Sequence, residues 1–518
     1  MVTESRFEIP LLEAKAGEEY ILTVQSLEDV KADVDYSPRS LRITADSSDR
    51  PANSEIELKS KVLSELRGRP FTNENGILSE TQATTESNSI SENAIATHSR
   101  DFESFYIHPE TEIETHNDGE TARFAIRRSA SPGIGALQKA FYQLDSIPGI
   151  FNLYFDPESV KNPDFLKSAM NCLSGAIPAL VEVLGFPKSA NGDEAVNLLV
   201  GSFTDEANVI GRFNRLDRYL KNEGKNLADS NQGKPILYLS PELLKAPDRD
   251  GPGRICATSA HEFQHLMNYE YKVLRPIPEK ERYDLASVIK YRRDREFLGL
   301  DEGISHLVEE LSPGDQRVYG RLLDFLNNQS EGSFSLELNY KAPDGNSRTR
   351  GANLALVYYA LNRVGGKLDW PDKDTQKFLR ELVTSPDIGY ANLAKVAQIS
   401  PEKLFADFWA NLDSSLYSFE ATKDFFPLEQ MSNGITRGIT IIDRDESIDV
   451  WKRVGPASFH PLAADLPLLS RTQAARLFPQ SFARYRWIAP TTKPVRPQNK
   501  IVFEGKAAPY LVVWSRVR

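Results

Sequence analysis

Along the N-terminal stretch, apolar and polar residues alternate with the period of half-buried strands. Tyr20, Leu22 and Val24 take every second position in EEYILTVQS, Leu41 and Ile43 do so in RSLRITADS, and Phe124 and Ile126 in TARFAIRRSA. The pattern predicts a β-rich N-terminal domain over residues 1–147. Residues 71–100 interrupt it with Ser, Thr, Asn and Glu and few large apolar side chains, too little to offset the entropy of ordering, so a flexible loop is expected there. From residue 148 strands alternate with helices: GIFNLYFDP, the helical FLKSAMNCLSGAIPALVEVLG, then AVNLLVGSF and KPILYLSPE. After Gly251 the pattern is helical to about Leu416, punctuated at Pro276, Pro313, Pro371 and Pro401. The expectation is an α+β unit over residues 148–424, with an α+β half to about 273 and a helical half behind it. GITRGITII and APYLVVWSRV then return to strands, predicting a small β-rich C-terminal domain over 425–518.

The length of 518 residues supports such a division, because single cores stop growing at roughly 250 to 300 residues. A net charge of −11 and a pI near 5.4 oppose nucleic-acid binding, which needs a basic face. With only Cys172 and Cys256, a multi-disulfide scaffold and four-cysteine zinc sites are excluded. Cys256 is read as a buried thiol. No run of about 18 apolar residues is present, so no transmembrane segment is expected. The first thirty residues lack the basic start and apolar stretch of a secretory signal.

Chemistry concentrates in GRICATSAHEFQHLMNYEYKV, where His261, Glu262 and His265 form HExxH on a stretch free of Pro and Gly after its first residue. Residues four apart stack on one helix face, so both imidazoles can share one ion while Glu262 reaches a water beside it. Zinc brings that water's pKa toward 7, and a carboxylate then takes its proton. The competing reading is an exposed helix carrying incidental His and Glu.

Catalytic zinc usually takes three protein ligands and keeps a fourth position open. The continuation HExxHxxGxxH fails, because Asn268 and Tyr271 stand at its glycine and third histidine. A carboxylate from a second helix is the remaining option, and FLGLDEGISHLVEELSPGD supplies Glu302 as first choice, 37 residues after His265. Glu309 and Glu310 are rivals, read more readily as a solvated acidic face, and Asp301 as a cap or solvent-facing group. Tyr269, Tyr319, Tyr358 and Tyr359 are the aromatic candidates for stabilising an oxyanion, each weighed against simple packing. His98, His108, His116 and His460 have no paired ligand spacing. The acidic FTDEAN lacks the regular spacing of a calcium loop.

DEGISH resembles the second-helix motif of thermolysin-type and related gluzincin peptidases, which implies Glu302 as third zinc ligand and Gly303 as the point of close helix approach. His306 stands where those enzymes carry an aspartate that supports a ligand histidine. HEFQHLMNY followed by LDEGISHLVEEL is more similar to the hyicolysin family of bacterial metallopeptidases. VIGRFNRLDRY, ILYLSPE, RGANLALVYYALNRVGG and EKLFADFWANL share the texture of that family, so the resemblance covers roughly residues 148–415. It implies a gluzincin, thermolysin-like catalytic domain with one catalytic Zn2+ held by His261, His265 and Glu302, and Glu262 as general base. It also implies a peptide or protein substrate, and a secreted or cell-surface location with the signal removed from this chain.

On this reading an extended peptide adds to the edge of the strand in AVNLLVGSF or KPILYLSPE. Two alternatives share the same residues. One is a catalytically silent, metallopeptidase-like binding or adhesion protein whose metal is structural, against which the intact Glu262 speaks. The other is a zinc hydrolase acting on a different amide or an ester.

Overall fold

The computed structural model describes residues 4–10, 18–27, 39–45 and 121–126, nearly all of 137–417, and strands and turns between 429 and 516. The expected flexible loop at 71–100, Pro313, most of FTDEAN, and His98, His108, His116 and His460 lie outside the described residues.

Strands β1 (Glu4–Pro10), β2 (Glu19–Ser26) and β3 (Arg39–Ala45) come first, the latter two at the alternating segments. Then follow β4 (Thr121–Ile126), β5 (Leu137–Ile147), β6 (Phe151–Phe155), helix α1 (Asp164–Leu184), β7 (Val196–Val200), β8 (Gly211–Phe213) and β9 (Ile236–Leu239). Four helices come next, α2 (Gly251–Tyr269), α3 (Leu285–Lys290), α4 (Leu298–Leu311) and α5 (Val318–Asn327). A short strand, β10 (Glu331–Ser333), separates them from α6 (Gly345–Arg363), α7 (Lys373–Thr384), α8 (Gly389–Val396) and α9 (Pro401–Tyr417). The last long strands are β11 (Thr472–Leu477), β12 (Ser481–Ile488), β13 (Lys500–Lys506) and β14 (Tyr510–Arg516). The fold is therefore mixed α+β. Pro401 opens α9, where its missing N–H costs nothing.

One sheet runs β4-β5-β6-β7-β9-β8. β6, β7 and β9 are parallel neighbours, with α1 crossing between the first two. VNLLV and ILYL are buried at every position, the unbroken apolar run that a strand covered on both faces requires. Leu153, Leu198, Val200, Leu237 and Leu239 face a large core shared with α1 and α2. Tyr154, Leu199, Ile236 and Tyr238 face a second one with Phe124 and Phe141. AVNLLVGSF and KPILYLSPE thus supply interior strands, and neither is an edge open to a peptide. The ends of this sheet are β4 and β8, and among the described residues β8 pairs with β9 alone. The apolar pattern marks a strand as buried without saying what lies beside it.

The terminal strands behave differently from two separate end domains. β2 lies between β12 and β14, pairing Leu22 with both Tyr485 and Trp514, while β3 lies between β13 and β11. Tyr20, Leu22, Val24, Leu41, Ile43, Trp487 and Phe503 share one core. β4 and β5, in contrast, extend the sheet that carries β6. Alternation states which face is buried and leaves the partner strand open. β10 hydrogen-bonds to β12, so the terminal β sheets are joined to the helical region.

Helix α4 is buried along nearly its whole length, with Leu300, Ile304, Leu307, Val308 and Leu311 in the main core. Gly303 lets it approach α6 closely. A Cβ there would stand 2.8 Å from the carbonyl carbon of Asn353 and 2.9 Å from its oxygen. Among the described residues no helix is long and apolar enough to cross a membrane.

Candidate metal centre

HExxH lies on α2, the helix the motif predicts, and α2 runs on into a π-helical turn at Glu270–Leu274. Ile255, Ala260, Phe263, Leu266 and Met267 bury one side of α2 in the main core, which leaves His261, Glu262 and His265 on the side facing α4 and β8. Cys256 does not remain a free thiol: it is joined to Cys172 of α1 in a disulfide. The two cysteines lie 84 residues apart in sequence, and only the packing of α1 on α2 brings them together.

The structure brings His261, His265 and Glu302 together. The two Nε2 atoms face each other at 3.0 Å, and Glu302 reaches them with Oε2 at 3.4 Å from His261 and Oε1 at 3.8 Å from His265. Bonds of about 2.0 to 2.1 Å in a tetrahedral arrangement set donors roughly 3.3 Å apart, so the spacing suits one cation. Groups within 4.8 Å of one another define this triad and a second one, His261, His306 and Glu309. The second is more closed, because His306 is fully buried and its Nδ1 is already 2.7 Å from Glu309 Oε2.

Each histidine of the first triad turns its other nitrogen to a carboxylate of α4. His265 Nδ1 is 2.8 Å from Asp301 Oδ2, and His261 Nδ1 is 3.3 Å from Glu309 Oε1. A carboxylate at Nδ1 favours the proton there and leaves Nε2 as the lone-pair donor. The Nε2 pair and the Glu302 oxygens then form a converging set of acceptors, an arrangement that a cation relieves. Asp301 is itself held by Asn268 Nδ2 and by Gln264 Nε2 at 3.4 Å.

Two expectations are corrected here. Asp301 is neither a cap nor a solvent-facing group, and Glu309 is not a solvated face: Glu309 and Glu310 are both buried. The spacing carried a signal for Glu309, which lies seven residues beyond Glu302 and so on a similar face of α4. No local pattern marks Arg350, whose Nη1 reaches Glu302 Oε2 at 2.8 Å from α6. His306 lies against the His261 ring at 4.9 Å between centroids, and its Nδ1 is 2.7 Å from Glu309 Oε2.

Without an ion the carboxylates draw protons onto the imidazoles, so a cation competes with protons for the Nε2 atoms. Burial opposes charge on His261, yet Glu309 and Glu302 pull its pKa up to about 10. His265 is raised against the same burial by Asp301. Glu302 and Glu309 resist the upward effect of burial and stay well below the ordinary carboxylate range, Glu302 chiefly through Arg350 and Glu309 chiefly through His261. Burial, helped by Arg321, drives His306 down to about 3, so its imidazole is neutral. Glu262 differs from the other two glutamates, since burial raises it and His261 and His265 offset only part.

Glu262 also accepts a hydrogen bond from the Phe213 backbone N–H of β8. The contact is tight: a Cβ on Gly211 would meet Thr258 and stand 2.7 Å from Glu262 Oε1. The open sheet edge therefore runs beside the candidate base. The aromatic candidates fall elsewhere. The Tyr269 hydroxyl is bonded to that of Tyr219, Tyr358 and Tyr359 pack in the main core, and the Tyr319 side chain lies outside the described residues.

A scan against protein-family models matches no family, and a search of curated proteins returns no match.

Proposed function

We propose that this chain is a zinc peptidase of gluzincin type, related to the hyicolysin family, that hydrolyses peptide bonds. The observation that carries the reading is the convergence of His261 Nε2, His265 Nε2 and Glu302 beside a buried Glu262 of raised proton affinity. Zinc suits two imidazoles and a carboxylate at this spacing, and when bound it lowers the pKa of a water and polarises a carbonyl. Glu262 takes the proton from the attacking water and passes it to the leaving amine. Asp301 and Glu309 keep the imidazoles aimed, and the protein spends no reorganisation at the moment of reaction.

Substrate lies extended along β8. As an end strand of its sheet, β8 can offer outer backbone groups other than the Phe213 N–H to a peptide, and it passes next to Glu262. The Cys172–Cys256 disulfide favours an oxidising compartment, which accords with an exported protein.

The test is metal analysis of the purified protein together with digestion of a mixed peptide library, for wild type and Glu262→Gln. The expected result is about one zinc per chain in both, with cleavage by wild type and a fall of roughly 10²- to 10⁴-fold in the variant. Absence of stoichiometric metal, or undiminished cleavage by Glu262→Gln, overturns the reading.

A further inference from the structure

Glu302 Oε2 has three neighbours that bear on how the carboxylate can be held. His261 Nε2 lies 3.4 Å from its Oε2 and Arg350 Nη1 lies 2.8 Å from the same oxygen, while His306 Nε2 stands 3.8 Å away. The oxygen turned toward His261 is thus also the one held by Arg350. Arg350 meets this oxygen as an ion pair, so charge attraction holds the carboxylate from one side while its lone pairs stay open to a metal.

Arg350 comes from a different helix, and the packing explains its reach. α4 and α6 meet where Gly303 touches the Asn353 backbone. Arg350 lies three residues before Asn353, hence on the same face of α6, one turn along and level with Glu302. The Glu302 side chain is 5% exposed and that of Arg350 is 19% exposed, so the guanidinium extends from the buried ligand toward the solvent side.

The charge of Arg350 answers a specific problem. Glu302 shares the site with Glu262, Glu309 and Asp301, and a buried carboxylate beside like charges tends to swing away or take up a proton. His306 holds it less well, because its Nδ1 is committed to Glu309 and its Nε2 stands 3.8 Å from Glu302 Oε2. We propose that Arg350 is a positioning residue that fixes the Glu302 carboxylate in its metal-ready orientation, taking the part that no residue of α4 plays for this ligand. Asp301 and Glu309 orient the two histidines, and Arg350 orients the third ligand. The proposal rests on the metallopeptidase reading.

The experiment measures zinc affinity of the metal-stripped full-length protein by competition with a chromophoric chelator, for wild type, Arg350→Met, Arg350→Lys and Arg321→Met. Kinetics follow at saturating zinc. Loss of an outer partner of a metal ligand weakens metal binding by about 10- to 100-fold, and Arg350→Met is expected to fall in that range. Arg350→Lys recovers a large part of the loss, because a single cationic donor still reaches Oε2. At saturating zinc, Arg350→Met has a lower kcat with KM for a peptide within about twofold of wild type, since binding along β8 is untouched. The metal-free melting temperature is read in parallel, so that a folding defect is separated from a ligand defect.

Zinc affinity of Arg350→Met within about twofold of wild type overturns the proposal, as does an affinity loss in which Arg350→Lys is as weak as Arg350→Met. An equal loss in Arg321→Met, whose guanidinium faces His306 and Glu309, would also overturn it by showing that any nearby positive charge serves. Wild type that binds no zinc defeats the metallopeptidase reading itself, whereas tight binding by wild type and by Arg350→Met defeats this inference alone.

Discussion

At the scale of single residues, the centre depends on where each imidazole sends its second nitrogen. His265 faces Asp301 and His261 faces Glu309, two carboxylates on one helix that fix both rings with Nε2 inward. Glu309 does more than orient, because it also receives His306 Nδ1 at 2.7 Å and faces Arg321 Nη1 at 3.8 Å. Glu309→Ala is therefore expected to free His261, leave His306 without its acceptor and weaken metal binding by about 10- to 100-fold. Chelator competition on the stripped protein measures it, and unchanged affinity would remove Glu309 from the support of the site. HExxH made His261, Glu262 and His265 legible, and a carboxylate on a following helix made Glu302 the choice. Asp301 and Glu309 lie on the same 14-residue helix as Glu302 yet read as surface groups, since an acidic residue looks alike in sequence whether it meets water or an imidazole.

At the scale of elements, three pieces create the cleft: α2 with the motif, α4 with Glu302, and the short edge strand β8. The α4 position depends on Gly303 against Asn353, and the β8 position on Gly211 against Thr258 and Glu262. Adding a methyl at Gly211 requires β8 or the Glu262 side chain to move. Misplacement of a reacting group by about 1 Å costs on the order of 10²-fold in rate. Gly211→Ala is accordingly expected to lower kcat by about that factor while zinc content and melting temperature stay near wild type. Steady-state kinetics with metal analysis checks this, and a variant with full kcat would show that β8 does not constrain the base. β7 and β9 were legible as buried strands from VNLLV and ILYL, whereas β8 is only three residues long and carries no alternation from which an edge could be read.

At the scale of the whole molecule, one of the buried groups that tie the chain ends to its centre is Arg484. Arg484 of β12 pairs with Asp413 of α9, donates to Gln329 and, at 3.0 Å, to Thr23 of β2, and lies over the Trp409 ring at 4.8 Å. Neither Arg484 nor Asp413 has any exposed side-chain surface. Removing one partner of such a pair leaves a buried charge uncompensated and costs about 3 to 5 kcal/mol. Arg484→Met is expected to destabilise the folded chain by that amount in urea unfolding, and a change below about 1 kcal/mol would show that the terminal sheets are held on by other contacts. The local pattern of the sequence determined which segments are strands and helices, and the four-residue spacing within HExxH determined that His261 and His265 could share an ion, because both rest on periodicities of 2.0 and 3.6 residues that neighbours in sequence enforce. Tertiary structure alone decided that β2 lies between β12 and β14, that Cys172 meets Cys256, that Glu302 joins the two histidines, that β8 ends its sheet beside Glu262, and that Arg350 stands on Glu302. Those partners are separated by tens to hundreds of residues, and which of many similar strands, thiols or cations meets a given one is fixed by how whole elements pack.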